Sequence, residues 1–193
     1  MPAPARGKTA LLIIDMQEDI VGMREATRTT VPHLRLVLEA FRKKGLPVFH
    51  IIRTYRRDWS DVELPRVAEF QDRGPRVIEN TPGARIVSQL SPREGEFVVV
   101  KKRWSGFFMT ELPLLLNRLG VGSVVIGGTQ TPNCVRSTAF DAISYDLETS
   151  VLSDGTSAAA PEVHEANLRD MANIGIRLLT CGEAVEMAAR ARN

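Results

Sequence analysis

The stretch SVVIGGTQTPNCVRSTAFDA, residues 123–142, decides the fold. Its first part, 124–127, is a short β-branched run that reads as a strand, and Gly127 and Gly128 then break it. Thr-Pro-Asn comes next, and a helix-compatible segment opens near Val135. A strand passing through a glycine turn into a helix is half of a β-α-β unit. Cys134 stands where that helix should begin, and the positive end of the helix dipole with its free N–H groups favours thiolate over thiol. That is one way to make a nucleophile. A small buried hydrophobe is an equally good reading of a lone cysteine.

On either side of this stretch the same alternation covers the chain. Strands are expected at 10–14, 47–52, 97–101, 124–127, 148–152 and 176–180, and helices at 31–44, 110–119, 135–145, 161–173 and 183–192. Such a pattern predicts a three-layer α-β-α, Rossmann-like α/β fold with a six-stranded, mostly parallel sheet. Leu34, Val37, Leu38 and Phe41 fall on one face of the 31–44 helix, and Gly45 suits its C-terminal stop. Leu112, Leu115, Leu116 and Leu119 give the 110–119 helix its stripe, with Thr110 as its cap. Residues 154–157, Asp-Gly-Thr-Ser, read as a turn and cap before Pro161. The longest irregular region, 53–96, contains Pro65, Pro75, Pro82 and Pro92, with short helices expected at 67–70 and 84–90. A region of this length and proline content should act as a fixed lid over the strand ends of its own or a neighbouring subunit and set substrate choice.

The 193 residues are enough for one domain spanning 1–193, with 1–8 as a flexible N-terminus. The 25 basic and 23 acidic residues are mixed along the chain, so its net charge of +2 recommends no nucleic-acid surface. The two cysteines lie on segments of different type, which predicts reduced thiols in a cytoplasmic protein. An apolar run of membrane-spanning length is missing, as is a signal-peptide core, so neither membrane insertion nor secretion is expected.

Ligands of open parallel sheets bind beyond the carboxyl ends of the strands. Asp15 ends the run 11–14, Lys101 ends 97–100, and Cys134 comes one turn after the fourth strand. A carboxylate after four aliphatic residues is costly unless bonded or used, although Asp15 could cap the next segment of chain. Lys101 could be no more than a solvated strand end.

Together these positions resemble the isochorismatase-like cysteine hydrolase superfamily. LIIDMQ at 12–17 looks like its first motif, KKRWSGF at 101–107 its second, and GTQTPNCVRSTA at 128–139 its third. The resemblance runs from residue 10 to about 185 and makes Asp15, Lys101 and Cys134 a catalytic triad, with Ser105 selecting Lys101 over Lys102. Asp15 would take the thiol proton, Cys134 attack a carbonyl carbon, and water hydrolyse the acyl-enzyme. The resemblance also implies an oxyanion hole of the Gln130 and Cys134 N–H groups, a cis peptide at Thr129–Gln130, and a homodimer or homotetramer.

Nicotinamidases of this family carry an Asp-x-His and a further histidine after the second strand to hold a metal. Here that stretch is IRTYRRDWSD, 52–61, without histidine, and His33, His50 and His164 are scattered. The expectation is therefore no metal, no cofactor, and a small-molecule substrate with an amide, ureido or carbamoyl C–N bond. Gln17, Arg53, Tyr55, Arg57, Trp104, Phe107 and Thr129 are the candidate substrate contacts. An arginine fork would suit an anionic substrate, although Arg56 and its neighbours could instead pair with Asp58 or Asp61 at the surface. Two other readings stay open: a vinyl ether hydrolase of the isochorismatase type, which needs no cysteine, and a retired member that only binds a small molecule.

Overall fold

A computed structural model describes residues 7–191. Strands β1 (Lys8–Ile14), β2 (Val48–Arg53), β3 (Phe97–Lys101), β4 (Val121–Thr129), β5 (Glu148–Ser157) and β6 (Arg177–Leu179) form one sheet in the order β3-β2-β1-β4-β5-β6. All its pairings are parallel. Helices of the described residues are α1 (Glu18–Val21), α2 (Glu25–Arg28), α3 (Thr30–Lys43), α4 (Leu64–Arg73), α5 (Leu112–Arg118), α6 (Arg136–Ser144), α7 (Pro161–Asn173) and α8 (Cys181–Arg190).

The three layers arise from the two-residue period of the strands. Ala10, Leu12 and Ile14 join Phe49, Ile51, Val99 and Ile126 against the apolar sides of α5, α6 and α7. Leu11 and Ile13 point the other way, where Val125 and Leu152 meet the Leu34, Val37, Leu38 and Phe41 stripe of α3 and the alanines of α8. Leu12 is fully buried, and truncating such a side chain to alanine costs about 2–5 kcal/mol. Gly45 comes after α3 at φ 63, the left-handed stop expected of it.

The chain builds outward through β2 and β3, then crosses back to β4 beside β1. Strand order reverses there, so a crevice opens between the carboxyl ends of β1 and β4. Asp15 and Cys134 both lie at that point.

Several element boundaries differ from those expected of the sequence. Residues 154–157 are not a turn before α7, because β5 continues through them. Its pairing jumps from Ile126↔Val151 to Gly128↔Thr156, so the strand bulges and resumes. Asp154 consequently accepts the Cys181 N–H at 2.7 Å and serves α8, while α7 begins after Ala160. Thr180 and Glu183 close α8 with a reciprocal capping box, which starts that helix at Cys181 rather than 183. The Thr110 hydroxyl accepts the Leu112 N–H at 3.2 Å and donates to Gly106, so α5 starts later than 110. In place of one helix at 84–90 there are two short tight turns, Pro82–Ala84 and Ser88–Leu90. Most of the expected flexible stretch 1–8 lies outside the described residues, but Lys8 belongs to β1.

Region 53–96 is a packed cover. Tyr55, Val62, Phe70, Val77, Ile78 and Ala84 form a small core of their own. Tyr55 and Trp59 both meet Phe70 edge-on, at 5.4 and 5.9 Å. Among the described residues no helix is long and apolar enough to cross a membrane.

Candidate active site

Asp15 leaves β1 at φ 52, in the left-handed region that aspartate tolerates better than most residues. Its N–H still pairs with the Ile51 carbonyl at 2.8 Å, so the turn is anchored to β2 while the carboxylate swings into the crevice. Lys101, fully buried at the end of β3, donates from Nζ to Asp15 Oδ2 at 2.8 Å and lies 3.5 Å from Cys134 Sγ. Lys102 is engaged elsewhere, with the Thr54 carbonyl at 2.7 Å and Asp61 at 2.8 Å.

Cys134 sits in a wide helical turn, Thr131–Val135, that leads into α6. The Gln130 carbonyl accepts from Asn133 at 3.1 Å and from Val135 at 3.2 Å, the second bond spanning five residues. The turn is pinned from both sides. His164 Nε2 faces the Ser153 carbonyl at 3.0 Å, so it carries the proton and Nδ1 accepts from Thr131 Oγ1 at 2.8 Å. Thr138 donates to the Cys134 carbonyl at 2.6 Å and accepts the Gly106 N–H at 2.9 Å, tying the second motif to the third. Gly128, at φ 110, lets β4 approach β1, since a Cβ there would stand 2.1 Å from the Ile14 carbonyl oxygen. The Thr129–Gln130 peptide is cis.

Arg53 is the principal surprise. It is buried at the end of β2, and its Nη2 reaches Cys134 Sγ at 3.1 Å. Nη1 donates to Tyr55 Oη at 2.6 Å and to Glu63, which also accepts from the Tyr55 hydroxyl. Two buried cations, Lys101 and Arg53, therefore face two buried carboxylates, Asp15 and Glu63. Ionising Cys134 would leave this cluster negative. Burial pushes the Cys134 thiol above its ordinary value of 9.0, the Asp15 carboxylate adds to that, and Lys101 and Arg53 do not overcome the two. The thiolate expected from the helix start alone is thus outweighed. Burial opposes the Arg53 charge, but its neighbours Cys134, Asp15, Tyr55 and Glu63 outweigh it and hold that guanidinium protonated. Asp15 Oδ1 is buried and has no hydrogen-bond partner among the described residues. The same carboxylate acts on the Cys134 thiol through its charge and through its side-chain hydrogen bonding.

The remaining candidates divide. Trp104, Thr129 and Gln130 line a pocket of about 350 Å³ that also touches Asp15, Arg53 and Cys134. Gln17 does not reach that pocket: its carboxamide is wholly taken up by the Arg53 and Ala84 backbones, at 2.8–2.9 Å. Tyr55 is buried behind Arg53 rather than open to a ligand. Arg57 is exposed and off the pocket, and Arg56 pairs with Asp58 at 3.4 Å at the surface. Phe107 belongs to the core, stacked on Tyr145 with ring centroids 5.2 Å apart. Glu63, Arg24, Arg66, Arg76 and Asn133 were not anticipated. All but Asn133, which belongs to the nucleophile turn itself, lie on helices or linkers, where no strand-end signal marks them. A larger groove of about 770 Å³ beside α1 and α3 includes none of Asp15, Lys101 or Cys134.

The residues present do not fit a metal centre. Among the described residues no three His, Cys, Asp or Glu side chains group to hold an ion. His50 pairs with Glu96 at 2.9 Å, His164 holds the nucleophile turn, and His33 faces the Asp154 carbonyl at 3.0 Å. The space beside the thiol is filled by the Arg53 guanidinium.

Fold and crevice together place the chain in a known group: an isochorismatase domain model matches residues 9–183, and the chain belongs to the isochorismatase family. A "probable inactive nicotinamidase" of Arabidopsis thaliana is 41% identical over 190 residues, covering 94% of this chain and 96% of that protein. The crystal structure of an isochorismatase family protein from Desulfovibrio vulgaris superposes with a TM-score of 0.90 at 40% identity, over 96% of this chain and 100% of that one. N-carbamoylsarcosine amidase from Thermoplasma acidophilum gives a TM-score of 0.75 at 27% identity, over 90% and 96%.

Proposed function

We propose that this protein is a metal-independent cysteine hydrolase that cleaves an amide, ureido or carbamoyl C–N bond of a small molecule through an acyl-enzyme. The observation that carries the reading is a buried thiol, held protonated, that shares its crevice with the Asp15 carboxylate and with the cations of Arg53 and Lys101 at 3.1 and 3.5 Å from the sulfur. As Sγ attacks the carbonyl carbon, its proton passes to Asp15, so charge moves within the cluster and none has to enter from water. The carbonyl oxygen becomes an oxyanion held by the Gln130 and Cys134 N–H groups. Collapse of the tetrahedral adduct breaks the C–N bond, and Asp15 returns the proton to the leaving nitrogen. Water then adds to the thioester, giving its proton to Asp15, and the acid leaves as the thiol is re-formed. Relatives named as amidases and amidohydrolases support the bond type.

A second reading, a retired binder, draws on the name of the Arabidopsis relative. Against it stands the intact contact of Asp15, Lys101 and Cys134 in one crevice. Inactivity towards nicotinamide is compatible with hydrolysis of another amide. A screen of small amides, ureas and N-carbamoyl compounds for ammonia release, with and without chelator, separates the readings. Release that survives chelation and disappears in Cys134→Ala is the expected result. Release by the Cys134→Ala protein at the native rate would overturn it.

A further inference from the structure

The pocket over Cys134 is more cationic than the chemistry of the triad requires. Arg24, Arg53, Arg66 and Arg76 line it against Asp15 and Glu69. Lys101 and Glu63, just behind its wall, cancel each other, so the surplus is two positive charges. Arg53 is held by Glu63, Tyr55 and the thiol, and Arg76 by Glu69 at 2.8 Å. Arg24 and Arg66 are different. Arg24 Nη1 is buried without a hydrogen-bond acceptor, and Arg24 forms no ion pair among the described residues. Arg66 Nε is also buried without a hydrogen bond, and the two ion pairs of Arg66, with Glu63 and Glu69, are long at 3.8 Å.

Buried guanidinium donors without acceptors are costly and uncommon. Here two of them come from separate elements, the residue before α2 and the first turns of α4, and converge on one small cavity. Ile20, Met23, Phe70 and Trp104 supply its apolar surface. A ligand that satisfies this wall needs planar acceptor oxygens and a net negative charge on a short carbon frame. A carboxylate matches the guanidinium fork.

We propose that Arg24 and Arg66 form a carboxylate-binding subsite, so that the substrate is a small amide, ureide or carbamate bearing a carboxylate close to its scissile bond. The scissile bond rests on the hydrolase reading above, whereas the carboxylate rests on the two buried arginine donors that lack a hydrogen bond. Arg53 and Arg57, the arginines singled out by sequence, are respectively engaged at the nucleophile and off the pocket.

The test uses the Cys134→Ala protein, which cannot turn ligand over, and calorimetry with two matched pairs: N-carbamoylglycine against N-carbamoylglycinamide, and succinamate against succinamide. The anionic member of at least one pair should bind more tightly than its neutral partner. Arg24→Gln and Arg66→Gln should each weaken the anion about 10- to 100-fold, the loss of one charge-assisted hydrogen bond, and leave the neutral amide unchanged. Arg57→Gln should alter neither. Equal affinity within both pairs, including no binding by any member, overturns the subsite, as does an anion preference that persists in the Arg24→Gln/Arg66→Gln double variant. Ammonia release by the native protein is read separately on the same compounds. Arginine-dependent binding without release overturns the hydrolase reading and leaves the subsite standing, while release without anion preference does the reverse.

Discussion

The Arg53 guanidinium lies 3.1 Å from the Cys134 sulfur, closer than the Lys101 ammonium at 3.5 Å. A nucleophile that develops negative charge in a buried crevice thus has two cations, one from each of the strand ends β2 and β3, already in place. Glu63 and Tyr55 hold the Arg53 fork from behind, so its position does not depend on substrate.

Replacing Arg53 by lysine keeps a charge but loses the fork. We expect kcat to fall about 100-fold or more, the scale of one lost charge-stabilising donor. Arg53→Ala should in addition lower stability by about 3 kcal/mol, because buried Glu63 loses its close cationic partner and keeps only Arg66 at 3.8 Å. Steady-state kinetics with denaturant melts checks both, and unchanged turnover in Arg53→Lys would remove Arg53 from the mechanism.

The adjacent lysines should behave in opposite ways. Lys101→Ala and Asp15→Asn each lower kcat about 100- to 10,000-fold, and neither adds to the effect of Cys134→Ala. Lys102→Ala leaves kcat within a few-fold, since that side chain holds Thr54 and Asp61 at the rim. A critical Lys102 would contradict the contacts of both lysines.

Alkylation reports the resting state of the thiol. Because burial and Asp15 hold the Cys134 thiol above 9.0, iodoacetamide labelling should be slow at neutral pH and keep climbing beyond pH 9. Cys181, buried and also raised, should label no faster. A plateau below pH 7 would mean a preformed thiolate.

Why does the sequence point to a thiolate that the fold suppresses? A helix start is legible in 123–142, and so are the strand ends that carry Asp15 and Lys101. The partners that set the charge balance are not. Glu63 stands next to Leu64 and Pro65 in a segment with no strand period, and only the folded cover places it against Arg53. The core layers are readable because Leu11 and Leu12 alternate across β1, and the α3 stripe repeats at helical spacing. The bulge in β5 is hidden because Asp-Gly-Thr-Ser is also a good turn sequence, and only pairing with β4 keeps it extended. Gln17, chosen for its place near Asp15, proves to be a backbone clamp, a role that depends on Arg53 and Ala84 arriving from elsewhere.

Acid stability should depend on a buried cluster remote from the crevice. Burial lowers the His50 pKa below 6.5 more than Glu96 raises it, so the unfolded chain binds the proton more readily. Stability should therefore begin to drop as pH falls through 6.5. Burial works against the Glu96 charge, but Arg42, the Arg93 N–H and His50 hold its pKa at about 2 against an ordinary 4.5. That contribution is complete above 4.5 and is lost as pH falls towards 2. Melting temperatures across this range should show both arms, and Glu96→Gln should abolish the lower one. A melting temperature that rises on acidification from neutral pH would contradict the assignment.

The covalent step is open to direct observation. The native protein, mixed with a substrate found by ammonia release and quenched in acid within the first turnovers, should show by intact mass spectrometry one added acyl group. Peptide mapping should place it on Cys134 as a hydroxylamine-labile thioester, absent from Cys134→Ala. Full turnover with no such adduct, together with undiminished activity of Cys134→Ala, would rule out the acyl-enzyme.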